Sequence, residues 1–201
     1  MNTPRIAVLV SGGGRSLENL SELIQAGQLN VEIGLVISDR NGAKALERAT
    51  RLGIDSVVIA RCDYDSHRDY SSAVFGAIEA SAIDAGKDPI SLVVLAGFLR
   101  LLLLAPDWAG KVINIHPALL PAFGGKGYYG DRVHAAVLKR GVQVSGCTVH
   151  YVDDEYDNGK VLLQRWIAVP ANADVDTLAA LVFNEEKIAL PESIRLHYAS
   201  L

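Results

Sequence analysis

The sequence is poor in cysteine: Cys62 and Cys147 are the two it has among 201 residues, and no metal-binding spacing relates them. That argues against a zinc site built on closely spaced thiols and fits a reducing compartment, with both thiols expected buried and unpaired. The sequence also lacks a long apolar run. Arg5 is followed by five apolar residues before Ser11 and three glycines, too few for a signal-peptide core or a membrane span. The longest apolar stretch, 92–105, is interrupted by Gly97 and Arg100. A cytoplasmic location with no membrane partner is therefore expected. Basic charge is not in excess: 19 Lys and Arg stand against 23 Asp and Glu, a net charge of -4, which disfavours nucleic acid as a partner. No stretch reads as a linker, a repeat or low complexity, so one domain over 1–201 is expected.

What is present is an alternation of strand and helix. Apolar runs at 6–10, 33–37, 56–59, 92–96 and 112–115 read as buried strands. Helical patterns at 16–26, 43–52 and 65–85 lie between the first four. Such alternation predicts a parallel sheet with helices on both faces. After a glycine-rich loop at 123–130, a helix is expected at 131–140 and strands at 147–152 and 161–169, joined by an acidic segment. A closing helix is expected from Val175 to the end, with a break near Pro191. The fold class is α/β, Rossmann-like, with a mostly parallel sheet of about seven strands.

The most chemical segment is Asn114-Ile115-His116-Pro117. Residues i and i+2 of a strand share a face, so the amide and the imidazole are expected to look the same way. An amide donor beside an imidazole suits a reaction in which negative charge develops on a carbonyl oxygen. A carboxylate held against the imidazole orients it and favours its protonated form. Asp157, in the acidic segment, is the candidate; Asp-Asn-Gly there is also a plain turn sequence. His150 within a strand braces such a site or joins it, and His134 on a helix lines it or stays at the surface.

Between the first strand and first helix lies Ser11-Gly12-Gly13-Gly14-Arg15-Ser16. Glycines permit tight turns and close backbone approach, and a helix start offers free N–H groups and a positive dipole end. A phosphate is the natural occupant; a bare turn with Ser16 as N-cap is the alternative. Gly12 and Gly14 also meet part of a dinucleotide-binding pattern, with Leu17 in the third glycine's place and Asp39 as a possible ribose acid.

Taken with the acidic segment, these motifs resemble the glycinamide ribonucleotide formyltransferases along essentially the whole chain. The resemblance rests on 10–17, 94–100, 114–121 and 146–157, and ends with Asn184-Glu185-Glu186 and Pro191. It implies formyl transfer from 10-formyltetrahydrofolate, as co-substrate and without a metal, to the amine of glycinamide ribonucleotide. It makes Asn114, His116 and Asp157 catalytic. It puts the substrate phosphate on Gly12, Gly13, Gly14, Arg15 and Ser16 and the ribose on Glu186. It sets the folate between Leu99, Arg100 and Leu101 on one side and Asp153, Asp154 and Asp157 on the other. A half at about 1–100 then binds phosphate and a half at about 101–201 carries folate and catalysis, in a monomer or homodimer. Departures from the family pattern are Arg15 for a small residue, Ser16 for Asn, His67 for an arginine with Arg68 one place later, Asn158 for Gly, and the 124–130 segment. A tRNA formyltransferase is expected to add a C-terminal domain and a formyltetrahydrofolate hydrolase an N-terminal one, so neither is favoured. A non-catalytic phosphate or nucleotide binder is the reading from another class.

Overall fold

A computed structural model describes residues 3–200. Leu201, the end expected for the closing helix, lies outside the described residues. Two compact units divide the chain, Met1–Ile113 and Asn114–Leu201.

The first unit runs β1 (Arg5–Val10), α1 (Arg15–Gln25), β2 (Glu32–Ser38), α2 (Lys44–Arg51), β3 (Ser56–Val58), α3 (His67–Ala85) and β4 (Ile90–Leu95). β5 (Val112–His116) crosses the boundary, and α4 (Asp131–Arg140), β6 (Val144–Tyr151), β7 (Val161–Ala168) and α5 (Val175–Ala199) follow. The strands form one seven-stranded sheet in the order β3-β2-β1-β4-β5-β6-β7. β1 pairs in parallel with β2 and β4, and β2 with β3, whereas β6 and β7 form an antiparallel pair. The mostly parallel α/β fold read from the sequence is the fold observed.

β1 is buried along its whole length, as a continuous apolar run covered on both faces must be. The β3 run differs from expectation. Only three residues pair, and Val57 is 36% exposed, because β3 is the edge of the sheet. Of the two thiols, Cys147 on β6 is buried as expected, whereas Cys62 is exposed on a 3₁₀ turn at Arg61–Asp63. α3 begins later than its pattern suggests, at a Ser66 N-cap whose Oγ accepts from Asp69 N–H at 3.1 Å. α5 starts at an Asp174 N-cap accepting from Thr177 N–H at 2.8 Å and continues through Pro191 without the expected break. Packing overrides propensity there: Leu190, Pro191 and Ile194 are all buried on a helix lying against β6 and β7.

Candidate active site

In the second unit, the last residues of β5 meet a single carboxylate. Asn114 Nδ2 donates to Asp157 Oδ1 at 3.3 Å, and His116 Nδ1 lies 3.4 Å from Asp157 Oδ2. The two side chains that share a strand face thus take one oxygen each. His116 is 4% exposed and its other nitrogen, Nε2, donates to the Phe123 carbonyl at 2.8 Å. That bond assigns the tautomer, since a carbonyl only accepts, and leaves Nδ1 facing the carboxylate.

His150 completes the cluster. Its Nδ1 donates to the Tyr151 carbonyl at 2.9 Å, so in the neutral ring Nε2 is an acceptor. Asn114 Nδ2 lies 3.0 Å from that Nε2. The amide is held with its nitrogen, not its oxygen, toward the cluster.

Asp157 is fixed by its own loop. Asp153 accepts from Glu155 N–H and from Asn158 Nδ2, each at 3.0 Å, and so closes the acidic segment on itself. Gly125 N–H donates to Asp157 Oδ2 at 2.8 Å. Phe123 and Asp157, both at φ 55°, are the non-glycine residues with left-handed backbone among the described residues. Such backbone costs energy and concentrates at functional sites. Gly124 passes so close to Leu120 and Asp157 that a side chain there would displace them. The Ala118–Leu120 segment is braced by Thr148 Oγ1, which donates to the Ala118 carbonyl at 2.7 Å and accepts from Leu120 N–H at 3.0 Å.

The electrostatics correct one expectation. Burial pushes the His116 pKa down, and Asp157 together with the Phe123 carbonyl raises it by less, so the ring lies below its ordinary 6.5. The carboxylate therefore does not hold His116 protonated. Burial raises the Asp157 carboxyl, but the His150 and His116 rings and the Gly125 amide outweigh it, and the acid lies below its ordinary 3.8. An ionised Oδ2 then faces an unprotonated Nδ1. Two acceptors at that separation leave a ready place for one proton.

The glycine loop belongs to the first unit. α1 begins at Arg15, with Gly14 as N-cap, so Ser16 is the second helical residue rather than the cap and Arg15 is inside the helix rather than before it. The reason is steric. Gly14 has φ 72°, and a Cβ there would lie 2.6 Å from that of Ala45. Only glycine suits that position. Gly12 and Gly13 are exposed with open space around them, and the first-turn amides of α1 have no intrahelical acceptor.

In the 99–101 segment, Arg100 Nε donates to Asp39 Oδ2 at 2.5 Å. Asp39 is 2% exposed and also takes both forks of Arg40, so it is not available as a ribose acid. This removes the second support of a dinucleotide pattern that already lacked its third glycine. His67 and Arg68 are exposed at the start of α3. Glu186, half-buried on α5, sits near Cys147, whose thiol is pushed up to about 12 by burial and then by that carboxylate. Phe123 and Gly125 act through backbone atoms, which no sequence pattern announces; Thr148 acts from inside an apolar strand.

A family of formyl transferases matches residues 4–194. The trifunctional purine biosynthetic protein adenosine-3 of Gallus gallus is 37% identical over 197 residues, covering 97% of this chain and 18% of that protein. The chloroplastic phosphoribosylglycinamide formyltransferase of Vigna unguiculata is 36% identical over 185 residues, 90% of this chain and 57% of its own length. Among solved structures, glycinamide ribonucleotide transformylase 1 from Symbiobacterium toebii superposes with a TM-score of 0.85 at 34% identity, over 96% of this chain and 86% of that one. The fold is thus the α/β fold that this transformylase shares. The chain belongs to the formyl transferase family.

Proposed function

We propose that the protein transfers a formyl group from 10-formyltetrahydrofolate to the amine of glycinamide ribonucleotide, a step of purine synthesis. The observation that carries this is the division of one Asp157 carboxylate between the Asn114 amide and the His116 ring. The reading also has the support of relatives whose names give that activity. It takes 1–201 as one formyltransferase domain, acting on small molecules in the cytoplasm. No helix among the described residues is long and apolar enough to cross a membrane.

The substrate amine attacks the formyl carbon. Its oxygen becomes an oxyanion, and the Asn114 N–H now on Asp157 at 3.3 Å turns to it, while the His150 contact keeps the amide from flipping. Asp157 takes the ammonium proton, which is shared with His116 Nδ1 and then returned to the departing folate nitrogen. Amine proton lost and folate nitrogen protonated balance the step. Gly12, Gly13 and the first-turn amides of Arg15 and Ser16 receive the phosphate, Glu186 the ribose, and the segments at Leu99–Leu101 and Asp153–Asp157 the folate. The test is absorbance of 10-formyltetrahydrofolate with and without glycinamide ribonucleotide. Equal consumption in both makes the protein a hydrolase instead.

A further inference from the structure

In the first unit, three strand ends are fastened together by two buried side chains. Ser11, just past β1, accepts Leu99 N–H on its Oγ at 3.0 Å and sends its own N–H to the Gly97 carbonyl at 3.0 Å. Asp39, just past β2, accepts Arg40 Nε at 3.1 Å on one oxygen, and Arg40 Nη2 at 3.3 Å and Arg100 Nε at 2.5 Å on the other. The Asp39 side chain has no exposed surface, whereas those of Arg40 and Arg100 are 47% and 39% exposed. A buried carboxylate is tolerated only when paired, and here two guanidiniums pair it. Arg40 is its neighbour in sequence; Arg100 is 61 residues away. The long-range half of the arrangement therefore links the end of β2 to the loop after β4.

The strand order gives that link its place. The chain runs from β1 outward to β2 and β3, then returns to β4 on the other side of β1. Open α/β sheets bind ligands beyond the carboxyl ends of their strands at such a reversal. By engaging Nε, the nitrogen nearest the stem, Asp39 fixes both the stem of Arg100 and the plane of its guanidinium.

We propose that Asp39 is a positioning residue for the folate: it holds Arg100, and with it the 99–101 segment, in the conformation that receives the formyl donor. This rests on the formyltransferase reading above. Asp39 acts through Arg100 and does not touch the ligand, because its oxygens are buried and taken. Ser11 hydrogen-bonds Asp39 as well, but the glycine loop keeps two supports that do not involve it, the Ala45 N–H on the Gly12 carbonyl at 3.1 Å and Gly14 packed against Ala45, so the two substrates respond differently to loss of Asp39.

Asp39→Asn keeps the volume and removes the charge. The expected result is a rise of about 10-fold or more in KM for 10-formyltetrahydrofolate, with kcat and the KM for glycinamide ribonucleotide within about two-fold. The Kd of tetrahydrofolate, measured by calorimetry, rises in step. Arg100→Gln, at a half-exposed position, gives the same pattern and covers the case in which Asp39→Asn does not fold. The double variant is no worse than Arg100→Gln alone. Equal increases in both KM values, or a lower melting temperature with unchanged tetrahydrofolate affinity, reduce Asp39 to a fold-holding residue and overturn the proposal. A wild-type protein that binds tetrahydrofolate but transfers no formyl group overturns the functional reading alone, and the affinity comparison then decides on Asp39.

Discussion

Asn114 and His150 are joined nitrogen to nitrogen, Nδ2 to Nε2 at 3.0 Å. The His150 Nδ1–H donates to the Tyr151 carbonyl at 2.9 Å, so in the neutral ring Nε2 offers Asn114 a lone pair and dictates which end of the amide it sees. Replacing the ring by one without an acceptor releases that choice. His150→Phe is expected to lower kcat by about 10- to 100-fold, part of the cost of removing an oxyanion donor outright, with KM values little changed. A variant that keeps more than half its kcat shows that the amide is oriented by something else.

Asp157→Asn removes the base and the partner of His116 together. A fall in kcat of at least about 100-fold is expected, with tetrahydrofolate binding nearly intact, since the Gly125 N–H still finds an oxygen at that position. Half-maximal turnover in this variant would take Asp157 out of the mechanism.

Stability should fall with pH in two stages. His116 and His197 both lie below their ordinary 6.5 because burial disfavours their charge. The unfolded chain then binds protons that the folded chain refuses, so stability is full above 6.5 and declines as pH drops through the lowered folded values. Asp39 and Asp157 lie below their ordinary 3.8, and their contribution is lost as pH falls through their own lowered values. Melting temperature followed from pH 8 to pH 3 is expected to drop in both windows, and a His116→Gln, His197→Gln double variant to flatten the upper one. An unchanged slope above pH 5 in that variant would assign the effect to other groups. Turnover should show an acid limb below 6.5, because His116 must be unprotonated to share the transferred proton.

How much of this was legible differs from residue to residue. β1, β2 and β4 were readable because a buried parallel strand is one continuous apolar run, whereas β3, at the edge of the sheet, kept only part of its run. Asn114 and His116 were readable as neighbours on one face because the strand repeat is two. The start of α1 was not, because Ser16 has the better capping side chain and the deciding fact, the closeness of Gly14 to Ala45, lies in a contact with the start of α2, beyond α1 and β2 in the chain. The Asp39–Arg100 pair joins two residues that no periodicity connects. The lowered His116 pKa turned on degree of burial, whereas the sequence displayed only the nearby carboxylate.

The glycines of the loop separate by role. Gly14 has a left-handed backbone and no room for a side chain, so Gly14→Ala is expected to destabilise the protein by at least about 2 kcal/mol. Gly13 has neither constraint. Gly13→Ala should leave the melting temperature unchanged and raise the KM for glycinamide ribonucleotide, since a methyl group there keeps a phosphate from the backbone. Chemical denaturation and steady-state kinetics on the two variants check this; a Gly13→Ala enzyme with unaltered kinetics would place the phosphate elsewhere.

Arg15 is the first residue of α1 and is exposed. A cation there opposes the positive end of the helix dipole, at a cost of about 0.3–1 kcal/mol. For stability alone the position calls for a neutral or acidic residue. A dianionic phosphate at the same helix end reverses that balance, because the guanidinium then adds a charge-assisted contact to the backbone donors. It would supply the cation that the family pattern has where this chain has His67. The two effects make opposite demands on one substitution. Arg15→Ala is expected to raise the melting temperature slightly, or leave it unchanged, while raising the KM for glycinamide ribonucleotide by roughly 10-fold, about 1.4 kcal/mol, with kcat and the folate KM unmoved. The KM effect should shrink as salt is added, because the contact is between charges. A KM that does not change at low or moderate salt rules the contact out and leaves the backbone amides as the phosphate site.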